Sequence, residues 1–127
     1  MAIGDFSNEF SSDVTTSTFE RGEGGSSQVT INLQFRGSLF PQADGTLKLS
    51  VPVPGATAGP ASFTGVGFLD GGETVGLTAE GSWEQVPGEL RWRIRGINMS
   101  SAGQVLLSDG TLDLASRSYN GTVAEWT

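Results

Sequence analysis

From Gln28 to Arg36 the chain alternates without a break. Val29, Ile31, Leu33 and Phe35 are apolar; Gln28, Thr30, Asn32, Gln34 and Arg36 are polar. A period of two sends successive side chains to opposite faces of an extended strand, whereas a helix repeats its faces every 3.6 residues. The apolar set therefore belongs to a core and the polar set to water or a polar lumen. No stretch shows a 3.6-residue period with helix caps. The pattern instead gives eight to ten strands joined by short turns at regular spacing, which means a closed antiparallel barrel or a β-sandwich. Closure removes edge strands, and a chain with one lysine, Lys48, and five prolines has little with which to blunt an edge. The barrel is the expected fold and the sandwich its alternative. At 127 residues the chain is expected to form one domain with a real core.

The richest stretch runs from Thr74 to Asn98. Pro87-Gly88 is a turn pair, since proline pre-sets φ at the first central position and glycine accepts a positive φ at the second. A turn centred on these two residues fixes a register. It sets Glu84 opposite Arg91, Trp83 opposite Trp92, Ser82 opposite Arg93, and Glu80 opposite Arg95. Acid–arginine rungs then occupy one face and paired indoles the other, each pair contributing about 0.2–1 kcal/mol.

Further turns are expected at Asp44-Gly45, at Asp70 to Glu73 and at Asn120-Gly121. Asp109-Gly110 suits a two-residue type I′ hairpin joining strands at 104–108 and 111–115. Pro52 to Pro60 reads as a loop. Residues 1–13 alternate poorly and read as a loose arm or an edge strand carrying Phe6 and Phe10.

The absences narrow function. There is no cysteine and no histidine, so disulfides, thiol nucleophiles and a Ser-His-Asp triad are ruled out. Fourteen acids against seven bases give a net charge of −7, which argues against nucleic-acid backbones and anionic membranes as partners. Nineteen glycines with abundant Ser and Thr fit tight turns rather than disorder, because the apolar residues alternate. The first residues have neither a basic region nor an apolar core, and no apolar run approaches a membrane span of about 18 residues. A cytoplasmic location is the default expectation. Asp70 with Glu73, and Asp109 with Asp113, have the chemistry of Ca²⁺ ligands but not the spacing of a known calcium loop. Neither a metal nor a cofactor is expected.

Several short pieces occur in a suggestive order: Thr18-Phe19-Glu20 and Gly22-Glu23-Gly24-Gly25, then Val29-Thr30 leading to Gly45-Thr46-Leu47. Ala61-Ser62-Phe63 with Gly65 and Gly71-Gly72 with Gly81-Ser82-Trp83-Glu84 follow. In this order the chain resembles a family of small bacterial proteins with a barrel like that of plant allene oxide cyclase, within the broader calycin-like shape. The segment from Met99 onward departs from that pattern. The resemblance implies a closed barrel whose lumen takes an apolar small molecule; it carries over no catalytic residue.

Three functions follow as expectations. In the first, the barrel holds an apolar ligand and either carries it or steers a cyclisation or isomerisation by shape, which needs no histidine. Trp83, Trp92, Tyr119 and Trp126 would line the wall, with Arg95 and Glu80 orienting the ligand. The glycines at 65, 67, 76 and 81 would leave room for it. In the second, the barrel is filled and serves as a structural or interaction module. The bland reading of the Arg91/Arg93/Arg95 row, a solvated face balanced by acids, suits either. In the third, an exposed tryptophan binds carbohydrate. A homo-oligomer formed by exchange of the N-terminal arm is also consistent with the sequence.

Overall fold

The alternation at Gln28–Arg36 folds as the pattern dictates. In the computed structural model, which describes residues 2–38 and 40–127, this segment lies in β2, with Ile31 and Leu33 fully buried. Eight strands follow one another: β1 (Asn8–Arg21), β2 (Ser27–Gly37), β3 (Gln42–Val51), β4 (Ala58–Phe68), β5 (Thr74–Gln85), β6 (Arg91–Ser100), β7 (Val105–Asp113) and β8 (Ser118–Glu125). Each pairs antiparallel with its sequence neighbours. β8 returns to β1 through Asn8↔Val123, Phe10↔Gly121 and Asp13↔Ser118, closing the barrel. The only helix among the described residues is a single 3₁₀ turn, Glu23–Gly25.

The segment read from the sequence as an arm contributes the first half of β1, with Phe10 packed against the core. A bulge at Thr15 separates Val14↔Leu33 from Thr16↔Asn32. The extra residue resets the face, so that Val14 and Ser17 both point inward despite their odd spacing. Residues ahead of β1 make a short bridge of their own, Ile3 with Trp126.

The hairpin at Thr74–Asn98 is present, but its register is not the one a two-residue turn gives. Pro87 and Gly88 are the central turn residues, with Gly88 at φ 75° and the Glu89 N–H donating to the Val86 carbonyl. The strands rejoin only where Val86 N–H meets the Arg91 carbonyl, so Glu89 and Leu90 also belong to the loop. Every β6 residue therefore moves two places along β5. Two is even, so each side chain keeps its face and changes its partner. Trp83 lies opposite Ile94, Gln85 opposite Trp92, Glu84 opposite Arg93 and Glu80 opposite Ile97. The Trp83–Trp92 and Glu80–Arg95 pairings do not form. A tertiary contact holds the longer loop, because the Leu90 carbonyl accepts from the Leu114 N–H.

Three expected turns are instead the middles of strands. Asp44-Gly45 lies in β3, Asp109-Gly110 in β7 and Asn120-Gly121 in β8. None of the three glycines has the positive φ that a type I′ turn demands. The β7–β8 connection lies further on, where Asp113 Oδ1 accepts from the N–H groups of Ala115 (2.9 Å) and Ser116 (3.2 Å) and Arg117 takes a φ of 56°. Asp70-Gly71-Gly72 does turn, with both glycines at positive φ.

Candidate functional site

Inward positions divide the barrel into two unequal halves. Toward the β5–β6 loop the interior is packed. Ile31, Leu49, Trp83, Ile94 and Leu112 are buried there, with Val29, Val51, Trp92 and Leu114 against them. Trp83 is 3% exposed and its Nε1–H donates to the Ser50 carbonyl at 2.8 Å. Its ring also occupies the space over Gly59.

Toward the β6–β7 loop the packing opens into a cavity of about 120 Å³. Its aromatic wall is Phe10, Phe35, Phe63 and Tyr119, which meet edge-on or tilted with ring centroids 5.2–6.1 Å apart. Small residues, Ala61, Ala79, Gly81 and Gly96, make up another part of the lining. Gly81 and Gly96 face each other across β5 and β6. A Cβ on Gly81 would run into the Arg95 carbonyl, so the close approach of these strands requires glycine there.

Other glycines have the opposite role from the one expected of them. A Cβ at Gly65 would sit 2.8 Å from Phe63 Cζ and one at Gly67 would sit 2.8 Å from Phe40 Cδ1. These positions seat aromatic rings rather than leaving space. Gly45 also lies under Phe63, and Gly110 lies under Tyr119 and Phe10. Gly76 faces outward beside Ser101.

The polar groups of the cavity are few. Asn98 Nδ2 donates to Ser108 Oγ at 2.9 Å and to the Leu106 carbonyl at 3.3 Å, which uses both amide hydrogens. Tyr119 is 6% exposed and its hydroxyl makes no hydrogen bond among the described residues. Among the described residues the side-chain atom that is both sealed from solvent and unpartnered is Asp44 Oδ1, which is not part of the cavity lining. The Tyr119 hydroxyl and Asn98 Oδ1 have no protein partner among the described residues, and both residues line the cavity. Burial pushes the Tyr119 phenol well above its ordinary range, and the Asp109 carboxylate adds to the shift; the group is neutral across the physiological range.

Of the six residues singled out in the sequence, Tyr119 lines the cavity through its ring. Arg95 and Glu80 border it from outward strand positions beside Gly81 and Gly96. Trp83 and Trp92 belong to the packed half. Trp126 lies beyond β8, at the bridge to Ile3. Sequence reasoning missed Phe10, Phe35, Phe63, Asn98 and Ser108. Of these, only Phe35 was legible as core-facing from its alternation, and nothing local shows which end of the barrel stays open.

The arginine row lies on the outer face. Arg93 Nη2 and Nε reach Asp109 at 2.6 and 3.0 Å in a bidentate pair. Arg91 meets Asp113 at 3.2 Å and Arg95 meets Glu84 at 3.6 Å. The hydrogen bond from Arg93 holds the Asp109 carboxyl below its usual range against a desolvation that works the other way. Backbone hydrogen bonds from Ser116 and Ala115, with Arg91 nearby, lower Asp113 too. No group of three or more potential metal ligands exists among the described residues, and no helix there is long and apolar enough to cross a membrane.

Fold and site together define a class: a small up-and-down antiparallel barrel of eight strands, packed at one end and hollow at the other. Comparison of the chain with protein-family models, with curated proteins and with solved structures returns no match.

Proposed function

We propose that the barrel binds a compact apolar small molecule in the hollow end of its lumen. The observation that supports this is the cavity of about 120 Å³ lined by the Phe10/Phe35/Phe63/Tyr119 wall and by small glycine and alanine residues. An engineered apolar cavity of about 150 Å³ takes benzene, so a single small ring is about the largest occupant this lumen takes without opening further. Drug-sized ligands need about 300 Å³ or more. The resemblance to allene oxide cyclase barrels fits a lumen ligand, although a long acyl chain is too large for this cavity as it stands. Steering a cyclisation by shape is the catalytic extension of the same reading.

The test is a titration of ¹⁵N-labelled protein with toluene, following amide shifts. Saturable shifts confined to the strands around Phe35, Phe63, Ala79 and Leu106, with the Trp83 indole unmoved, support the proposal. A Kd on the order of 0.1–1 mM is expected for so small a ligand. A linear, unlocalised response discards it.

One observation favours the alternative of an interaction module. Ile97 and Met99 are 46% and 55% exposed on the outer face, opposite Leu107 and Val105 of β7. Exposed apolar clusters of this kind mark contact surfaces. A concentration-dependent mass in sedimentation, abolished by Ile97→Ser with Met99→Ser, supports it; a monomer at every concentration argues for the lumen.

A further inference from the structure

We infer that the lumen ligand is a ring without negative charge that bears one hydroxyl group, recognised by Asn98 and Tyr119. This rests on the lumen reading above and narrows it to a chemical class.

The polar atoms on offer set that class. Both hydrogens of the Asn98 amide are taken by Ser108 Oγ and the Leu106 carbonyl, so its Oδ1 is a free acceptor and calls for a donor. The Tyr119 hydroxyl has no protein partner and both donates and accepts. The two groups converge on one piece of β7. Tyr119 starts opposite Leu112, but its ring lies across Gly110, with Cζ 3.0 Å from where a Cβ would stand. Asn98 is bonded to Ser108, the next inward position of the same strand, about 7 Å along it. One hydroxyl on a ring-sized ligand lies within reach of that stretch. It donates to Asn98 Oδ1, and its lone pair is available to the tyrosine.

Negative charge is excluded by the same inventory. Glu9, Arg36, Glu80 and Arg95 border the cavity, two acids and two bases. The two bases are already paired, Arg36 with Asp13 at 3.1 Å and Arg95 with Glu84 at 3.6 Å. A carboxylate in the lumen would lose its hydration with no free cation to meet it, which is the costliest kind of burial. An apolar ring without a hydroxyl would leave Asn98 Oδ1 dry and unpartnered.

The experiment compares phenol, toluene and benzoate by amide-shift titration on the wild type and on Tyr119→Phe and Asn98→Leu. Phenol is expected to bind, and benzoate to give no saturable shift. The affinity for phenol relative to toluene is expected to fall about five- to tenfold in Asn98→Leu, and by a smaller factor in Tyr119→Phe. Tyr119→Phe removes only an atom without a protein partner, so it reports on recognition even if Asn98→Leu fails to fold. An unchanged phenol-to-toluene ratio in Tyr119→Phe and in any folded Asn98→Leu, or benzoate binding as tightly as phenol, overturns the hydroxyl class and leaves the lumen reading standing. Binding of none of the three probes overturns both.

Discussion

Tyr119 lies across Gly110: a Cβ placed on that glycine would stand 2.6 Å from Cε1 of the ring and 3.0 Å from Cζ of Phe10. The ring and the missing side chain are one packing unit, an aromatic of β8 covering a glycine of β7. Gly110→Ala should therefore destabilise the barrel by about 1–3 kcal/mol through overpacking. Tyr119→Ala alone should cost about 3–5 kcal/mol. The double variant should cost less than the sum, by at least about 0.5 kcal/mol. Urea unfolding of the four proteins measures this, and strict additivity would show that ring and glycine do not share the space.

Trp83 joins β5 to β3 through its indole N–H and the Ser50 carbonyl. Trp83→Phe keeps an aromatic ring in the packed end and loses that donor. The Ser50 carbonyl would be left without it, at a cost of about 1–3 kcal/mol. Thermal unfolding is the readout. A variant as stable as the wild type would mean that the indole contributes only its bulk.

Acid should weaken the fold through the outer ladder. Asp109 is depressed by the Arg93 hydrogen bond, and Asp113 by backbone donors and Arg91. A carboxylate whose folded pKa lies below its unfolded value, about 3.9, stabilises the fold fully above that value. The contribution is lost as pH falls through the folded pKa. Stability should thus drop below about pH 4. Asp109→Asn should be less stable than the wild type at neutral pH and show a shallower decline in acid. Denaturant midpoints between pH 2 and 6 provide the comparison; parallel curves for the two proteins would remove Asp109 from the account.

Arg117 holds a φ of 56° in the β7–β8 turn, a left-handed conformation costly for a side chain with a Cβ. Arg117→Gly should raise stability by about 0.5–1 kcal/mol, the relief of that cost less the extra freedom of the unfolded chain. Differential scanning calorimetry would detect it as a higher Tm. A lower Tm would mean that the arginine side chain stabilises the turn by more than its backbone costs.

Asn32 couples three strands on the outer face, donating to Thr16 Oγ1 at 2.6 Å and accepting from Thr46 Oγ1 at 2.7 Å. The site is exposed, so Asn32→Ala should cost only about 1 kcal/mol. Amide hydrogen exchange should speed up in β1 and β3 together rather than in β2 alone. Faster exchange restricted to β2 would contradict a bridging role.

The alternation of Gln28–Arg36, the absence of any helical period and the shortage of edge-blunting residues were enough to specify an all-β chain and to favour a closed barrel. They work because facing is decided locally, by a strand's own pleat. The glycine pairs were misread for the same reason that they are informative. Asp-Gly and Asn-Gly have a local explanation as turns, and the sequence contains no sign that Phe63 will lie on Gly45, that Tyr119 will lie on Gly110, or that the β7 backbone will press on Gly121. The indole pairing failed in the same way, since Leu114 N–H, a tertiary partner, holds Leu90 in the loop and moves the register by two. Whether the lumen is full or hollow depends on how eight inward faces are staggered around the closed sheet. Packing Trp83 at one end and opposing Gly81 to Gly96 at the other is a consequence of that stagger, which exists only once the barrel has closed.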